Sequence, residues 1–144
     1  MHHRSPRLIH NPSGFLATNL LYFVDTGDGR PTGRWLAAAS LSSATALSGE
    51  IEGRTYGGGV LKLEPSEAER LLISTATAAK RKRLSDAVPA LDALVRAGNW
   101  AEARRRVDEI LDLGVEGVEA AAQTLRNRRL GLRRRGDASA LRRP

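Results

Sequence analysis

Apolar residues change their spacing about halfway along the chain, and the change divides it into two structural regimes. In the second half Leu84, Val88, Leu91, Leu94 and Val95 recur at helical intervals until Gly98. Such a stripe predicts a helix that starts near Ser85, with Pro89 tolerated in or just after its first turn. Asn99 then offers an N-cap with Glu102 three residues on, and Trp100, Ala103, Val107, Ile110 and Leu111 form the stripe of a second helix ended by Gly114. Val115, Val118, Ala122 and Leu125 open a third helix that runs into a cluster of arginines. The first two helices form a hairpin on which the third packs.

The first half mixes short strand-like and helical stretches. Gly14 to Val24 is rich in Phe, Leu, Tyr and Val, which predicts a strand or a tight strand pair. The Asp25 to Gly33 stretch, with three glycines, two aspartates and a proline, is a surface loop. Ala37, Leu41, Ala44 and Leu47 predict one helix over about Arg34 to Ser48, although Ser40, Ser42 and Ser43 weaken its interior. Gly57, Gly58 and Gly59 follow, and three consecutive glycines are costly to order unless a sharp bend or close backbone approach requires them. Val60 to Leu63 then reads as a strand, and Ser66 as the N-cap of a short helix. The predicted class is α+β: a small mixed strand and helix recognition platform, a helical hairpin and a basic C-terminal helix.

The string from Arg54 through Gly57, Gly58 and Gly59 to Ile73, containing Leu63-Glu64-Pro65, resembles the C-terminal target-recognition region of adenine-specific DNA methyltransferases of bacterial restriction-modification systems. Gly14-Phe15-Leu16-Ala17-Thr18-Asn19 is similar to the strand that opens this region, and Leu36 to Leu47, with Ser42-Ser43, to its short helix. The resemblance covers about Gly14 to Ile73. It implies binding of double-stranded DNA, a methyltransferase catalytic domain or subunit as partner, and S-adenosylmethionine as the cofactor of the parent enzyme. Such enzymes carry a glycine-bearing cofactor loop and an Asn/Asp-Pro-Pro-aromatic tetrapeptide that holds the flipped base. The nearest approach here, Asn11-Pro12-Ser13-Gly14, lacks the second proline and the aromatic and reads as a turn. Two Trp, two Tyr and two Phe are too few to build a pocket for an extruded base. No cofactor and no catalytic residue is therefore expected in the chain, which is read as a fragment or accessory module that does not methylate alone.

Charge sharpens this reading. Residues 1–72 carry seven basic and seven acidic side chains, whereas 73–144 carry sixteen basic against nine acidic, so the net +7 lies in the second half. Lys80, Arg81, Lys82 and Arg83 form one cluster, and Arg126, Arg128, Arg129, Arg133, Arg134, Arg135, Arg142 and Arg143 another, with only Asp137 opposing it. Such density attracts a polyanion through phosphate neutralisation and counterion release, unless the last cluster is merely a solvated tail. Arg54 and Tyr56 join the candidates because Gly57, Gly58 and Gly59 let another backbone come close, with Arg54 reaching guanine or phosphate. The alternative is a glycine corner with Arg54 paired to Glu50 or Glu52. Arg104, Arg105 and Arg106, near Glu102, Asp108 and Glu109, read as a mixed-charge solvated face, and Trp100 as core.

Four segments follow: a mobile stretch over 1–13, a recognition region over 14–76, a helical region with basic clusters over 77–135, and a disordered basic tail over 136–144. With no cysteine, disulfides and thiolate metal sites are excluded, consistent with a cytoplasmic protein. His2, His3 and His10 have no acidic neighbours to complete a metal site, and the apolar runs are too short and interrupted to span a bilayer. The other function classes left open are a helical protein-interaction module and an independent nucleic-acid-binding protein.

Overall fold

The computed structural model describes residues 4–14, 16, 18, 21–25, 33–56, 59–114 and 116–140, with Glu116 and residues 132–140 described by their backbone alone. The elements are α1 (Gly33–Ala39), α2 (Ser43–Glu52), β1 (Arg54–Tyr56), β2 (Val60–Lys62), α3 (Pro65–Ala68), α4 (Ala78–Arg96), α5 (Trp100–Leu111) and α6 (Glu116–Ala140). The fold is α+β, with the two strands paired antiparallel so that Arg54 faces Lys62, Thr55 faces Leu61 and Tyr56 faces Val60.

Two packing layers hold the helices. Helix α4 lies between α1 and α5, while α2 packs along α6. Leu84 and Leu91 of α4, Val107 and Leu111 of α5, and Ala38 and Ala39 of α1 form the buried centre, with Trp35, Leu94 and Ile110 closing over it. The alanines bring α1 close to its neighbours, and the leucines supply most of the apolar area removed from water.

Local chemistry explains where the elements depart from the sequence expectation. The single helix expected over about Arg34 to Ser48 is two helices, because Ser42 takes an extended conformation (φ −62°, ψ 158°) and its hydroxyl accepts from the Thr45 N–H at 3.3 Å. Ser40 and Ser42 thus end one helix and begin another, the competition that serine offers to a continuous helical ladder. Helix α4 starts at Ala78 with Thr77 as its cap, so Pro89 falls in its interior, not near its first turn. There the proline leaves the Ser85 carbonyl without its helical donor.

Gly98, at φ +79°, closes α4 as expected, with Gly98 N–H donating to Val95 O and Asn99 N–H to Leu94 O in a Schellman arrangement. Asn99 precedes α5 but its side chain makes no cap hydrogen bond. Helix α5 ends earlier than Gly114, at Asp112, which adopts the left-handed conformation at φ 56°. Glu64, not Ser66, caps α3, with Pro65 in the first helical position and Glu67 completing a capping box.

The described residues between Gly14 and Val24 form no strand. Phe15, Ala17, Asn19 and Leu20 lie outside the described residues, and Leu16, Leu21, Tyr22, Phe23 and Val24 are exposed. Tyr22 is tethered through its hydroxyl, which donates to the Leu63 carbonyl at 3.0 Å. Residues 4–10 run against the helices: the Leu8 N–H donates to Ser40 Oγ at 2.9 Å, and Pro6 lies on Gly49 of α2. A Cβ at Gly49 would stand 2.4 Å from Pro6 Cδ, so the glycine lets this segment pass. Helix α6 continues to Ala140, beyond the boundary expected at residue 135.

Candidate nucleic-acid interface

The β1–β2 hairpin places Arg54 and Tyr56 at the surface, joined to β2 through a turn in which Gly59 has φ +71°. Only glycine adopts that conformation without penalty. Gly57 and Gly58 lie outside the described residues. Arg54 pairs with the Glu67 carboxylate, not with Glu50 or Glu52. Glu67 also accepts from the Glu64 N–H at 2.8 Å, and that bond, with Arg54 adding to it, holds its carboxyl below the ordinary range. Lys62 binds Glu64 at 2.6 Å and lies 5.4 Å from the Tyr56 ring centroid, so Glu64 raises its pKa. Each exposed cation of the hairpin is therefore held by an acid of the α3 turn, Arg54 by Glu67 and Lys62 by Glu64, so the pairs carry no net charge.

Arg129 stands apart from the other candidates. It is buried, and its Nε and Nη2 each donate to a Glu50 oxygen at 2.8 Å while Nη1 donates to the Gly59 carbonyl. One α6 side chain thereby fixes α2 and the glycine turn together. Burial removes Arg129 from the surface that a duplex can reach, so its place among the exposed candidates is corrected to an internal clamp.

The Lys80 to Arg83 cluster occupies the first turn of α4. Lys80 Nζ donates to the Leu111 carbonyl at 2.9 Å and pairs with Asp112 at 3.0 Å, which neutralises the negative end of α5. Arg81 donates to the Ala76 carbonyl at 2.8 Å and stacks 4.7 Å from the Trp35 ring centroid. Lys82 pairs with Asp86 at 2.7 Å across one turn, an exposed contact of small energetic weight. Arg83 makes no hydrogen bond or ion pair among the described residues, and the same holds for the exposed Arg128 of α6. Arg133, Arg134 and Arg135 lie on α6, with side chains outside the described residues. Placing several cations on the first turn of α4 opposes its own dipole, a cost that a bound anion offsets.

Arg105 and Arg106 do form the mixed-charge face expected of them, both bound to Glu102 at 2.7 Å, with Arg105 also reaching Glu109. These bonds, from Arg105 first and Arg106 second, depress the Glu102 carboxyl to about 2. Asp108 and Arg104 do not belong to that face. Asp108 is buried, where Ser43 donates to it through its N–H at 2.9 Å and its hydroxyl at 2.6 Å. Burial pushes the Asp108 carboxyl above its ordinary value against the pull of these two bonds and of Arg104. A carboxylate on α5 thus completes the N-terminus of α2.

Trp100 is half-buried, and instead of lying in the core it carries two guanidinium groups, Arg4 at 4.3 Å and Arg7 at 4.8 Å from its ring centroid. With Arg104 and Arg126 these residues wall a cavity of about 160 Å³ between the N-terminal segment, α5 and α6. Reading residues 1–13 as mobile concealed Arg4 and Arg7. Their spacing of three, together with a tryptophan at a helix start, is the signal the sequence held. S-adenosylmethionine, which bears a sulfonium cation, does not suit this cavity, whose charged lining is all arginine.

Fold and charge define a basic α+β domain in which Arg83 of α4 and Arg128 of α6 make no hydrogen bond or ion pair among the described residues, and four guanidinium groups line the Trp100 cavity. Residues 1–111 match the family described as the C-terminal domain of Type II methyltransferase M.Eco57I, and the chain belongs to that family. The match is wider than the expected resemblance over 14–73 and ends at the last residue of α5, so α6 lies beyond it. No curated protein and no solved structure matches the chain.

Proposed function

We propose that the chain binds double-stranded DNA as the target-recognition part of an adenine-specific methyltransferase of a restriction-modification system. It positions the duplex for S-adenosylmethionine-dependent methylation by a catalytic domain or subunit outside this chain, in the cytoplasm. The observation that carries the reading is membership of a methyltransferase C-terminal family. The net charge of +7 supports it, because a cationic surface gains affinity for a duplex by displacing counterions from its phosphates. Arg83 and Arg128, exposed and without a hydrogen bond or ion pair among the described residues, support the reading, and Arg54 and Tyr56 of the exposed hairpin are the groups proposed to meet a groove. The exposed strip Leu21 to Val24 is where the catalytic part is expected to dock, since contiguous exposed apolar residues mark a contact surface.

Fluorescence anisotropy of a labelled duplex at low ionic strength, run beside an assay with labelled methyl donor, tests both halves of the proposal. Association without methyl incorporation is expected. Incorporation above background would place a reaction centre in this chain, and absence of association would remove the DNA role.

A further inference from the structure

The Trp100 cavity joins features that no DNA-facing surface requires. Four guanidinium groups, those of Arg4, Arg7, Arg104 and Arg126, surround one indole, and no carboxylate lines the space among the described residues. The two nearby acids are committed elsewhere, Glu50 to Arg129 and Asp108 to Ser43. Three donors in the wall, Trp100 Nε1, Arg104 Nε and Arg126 Nε, are buried and have no hydrogen-bond partner among the described residues. Buried N–H groups of this kind are rare, and each needs an acceptor that the protein itself does not supply here.

Like charge compounds the deficit. The Arg126 guanidinium is held below its ordinary pKa by burial first, with Arg104, Arg129 and Arg4 repelling it against the opposing pull of Glu50. Arg7 is lowered by burial and then by Arg4. Gathering such groups without an anion is unfavourable, and the group that relieves it must be small, negatively charged and rich in acceptors. Phosphate meets all three conditions: its oxygens accept from several guanidinium N–H groups at once, and about 160 Å³ suits a group of that size better than a whole nucleotide.

We infer that the cavity between the N-terminal segment, α5 and α6 is a phosphate-binding site, with Arg104, Arg126 and the Trp100 N–H as its principal donors and Arg4 and Arg7 closing it over the indole. The site goes beyond the DNA reading, because it is a partly open cleft with buried, unpartnered donors and not a flat exposed surface. Its natural phosphate is either a backbone phosphodiester of bound DNA or that of a small phosphorylated ligand.

Inorganic phosphate titrated into the full chain at constant ionic strength is the test, with Trp35→Phe leaving Trp100 as the sole indole reporter. A saturable change in Trp100 emission and a melting temperature that rises with phosphate are expected, both lost in R104Q/R126Q. If that variant does not fold, R104Q alone should raise the half-saturating phosphate concentration at least tenfold. An equal response to chloride, or a phosphate response that survives these variants, would overturn the inference. Adding duplex DNA distinguishes the two sources. Competition with phosphate identifies a phosphodiester as the occupant, and binding of both without competition identifies a small ligand; either result supports the site. Loss of DNA binding with phosphate binding intact would remove the DNA reading and leave the site standing.

Discussion

Arg129→Met tests how α6 is held to the rest of the fold. In the native chain the Arg129 and Glu50 side chains are 4% and 2% exposed, and two bonds of 2.8 Å join them. Removing the cation leaves Glu50 charged in a dry site and the Gly59 carbonyl without its donor, which costs about 3–5 kcal/mol. A domain of this kind has about 5–15 kcal/mol in total, so the loss is a large fraction of its stability. Glu50→Leu combined with Arg129→Met should recover most of it, falling short by about 1 kcal/mol for the Gly59 bond. Urea denaturation of the parent, both single variants and the double variant completes the cycle, provided the transitions are two-state and share one slope. A loss below about 1 kcal/mol for Arg129→Met would show that the pair behaves as a solvated surface contact, and the clamp would be refuted.

Other expectations follow from the same packing. Gly49→Ala should push Pro6 off α2 at a cost of about 1–3 kcal/mol, and hydrogen exchange at the Leu8 amide should quicken as its bond to Ser40 is lost; unchanged protection would contradict the close approach. Asp108→Ala should cost about 1–3 kcal/mol by stranding the Ser43 N–H and hydroxyl. Because burial raises the Asp108 pKa in the folded chain, the native state binds this proton more tightly than the unfolded state. Its contribution to stability therefore declines as pH climbs from 3.8 through the raised folded value, and denaturation series should show that slope vanish in Asp108→Asn. Glu102 has the opposite sign: its contribution is present above 4.5 and lost as pH falls through about 2, which carboxyl chemical shifts would report.

The elements legible in the sequence were those set by neighbours in the chain. Gly98 and the stripe of Val107 and Leu111 located α5 because its start and its buried face are both encoded within about a dozen residues. The stretch from Val60 to Leu63 likewise pointed to a strand, found as β2 over Val60–Lys62. What stayed hidden depends on distant partners. The break between α1 and α2 rests on Ser42 together with Asp108, which lies 65 positions beyond Ser43. Arg129 and Glu50 are 79 positions apart, and nothing in a basic run distinguishes the one arginine that turns inward. Arg4 and Arg7 belong to a segment whose composition suggests mobility, yet Gly49, Ser40 and Trp100 fix its place. Helix α4 begins a turn and a half before its apolar stripe, where Thr77 caps it, and its cationic first turns carry no apolar signal of that start, so the Lys80 to Arg83 cluster is part of a helix end.

DNA affinity as a function of salt tests the central claim most directly. For a duplex held through phosphates, the logarithm of the association constant should fall linearly with that of salt concentration, and Arg83→Gln with Arg128→Gln should flatten the slope by about 2, roughly 0.9 for each phosphate contact removed. A flat dependence, or a slope unmoved by the two substitutions, would contradict an interface built on these cations.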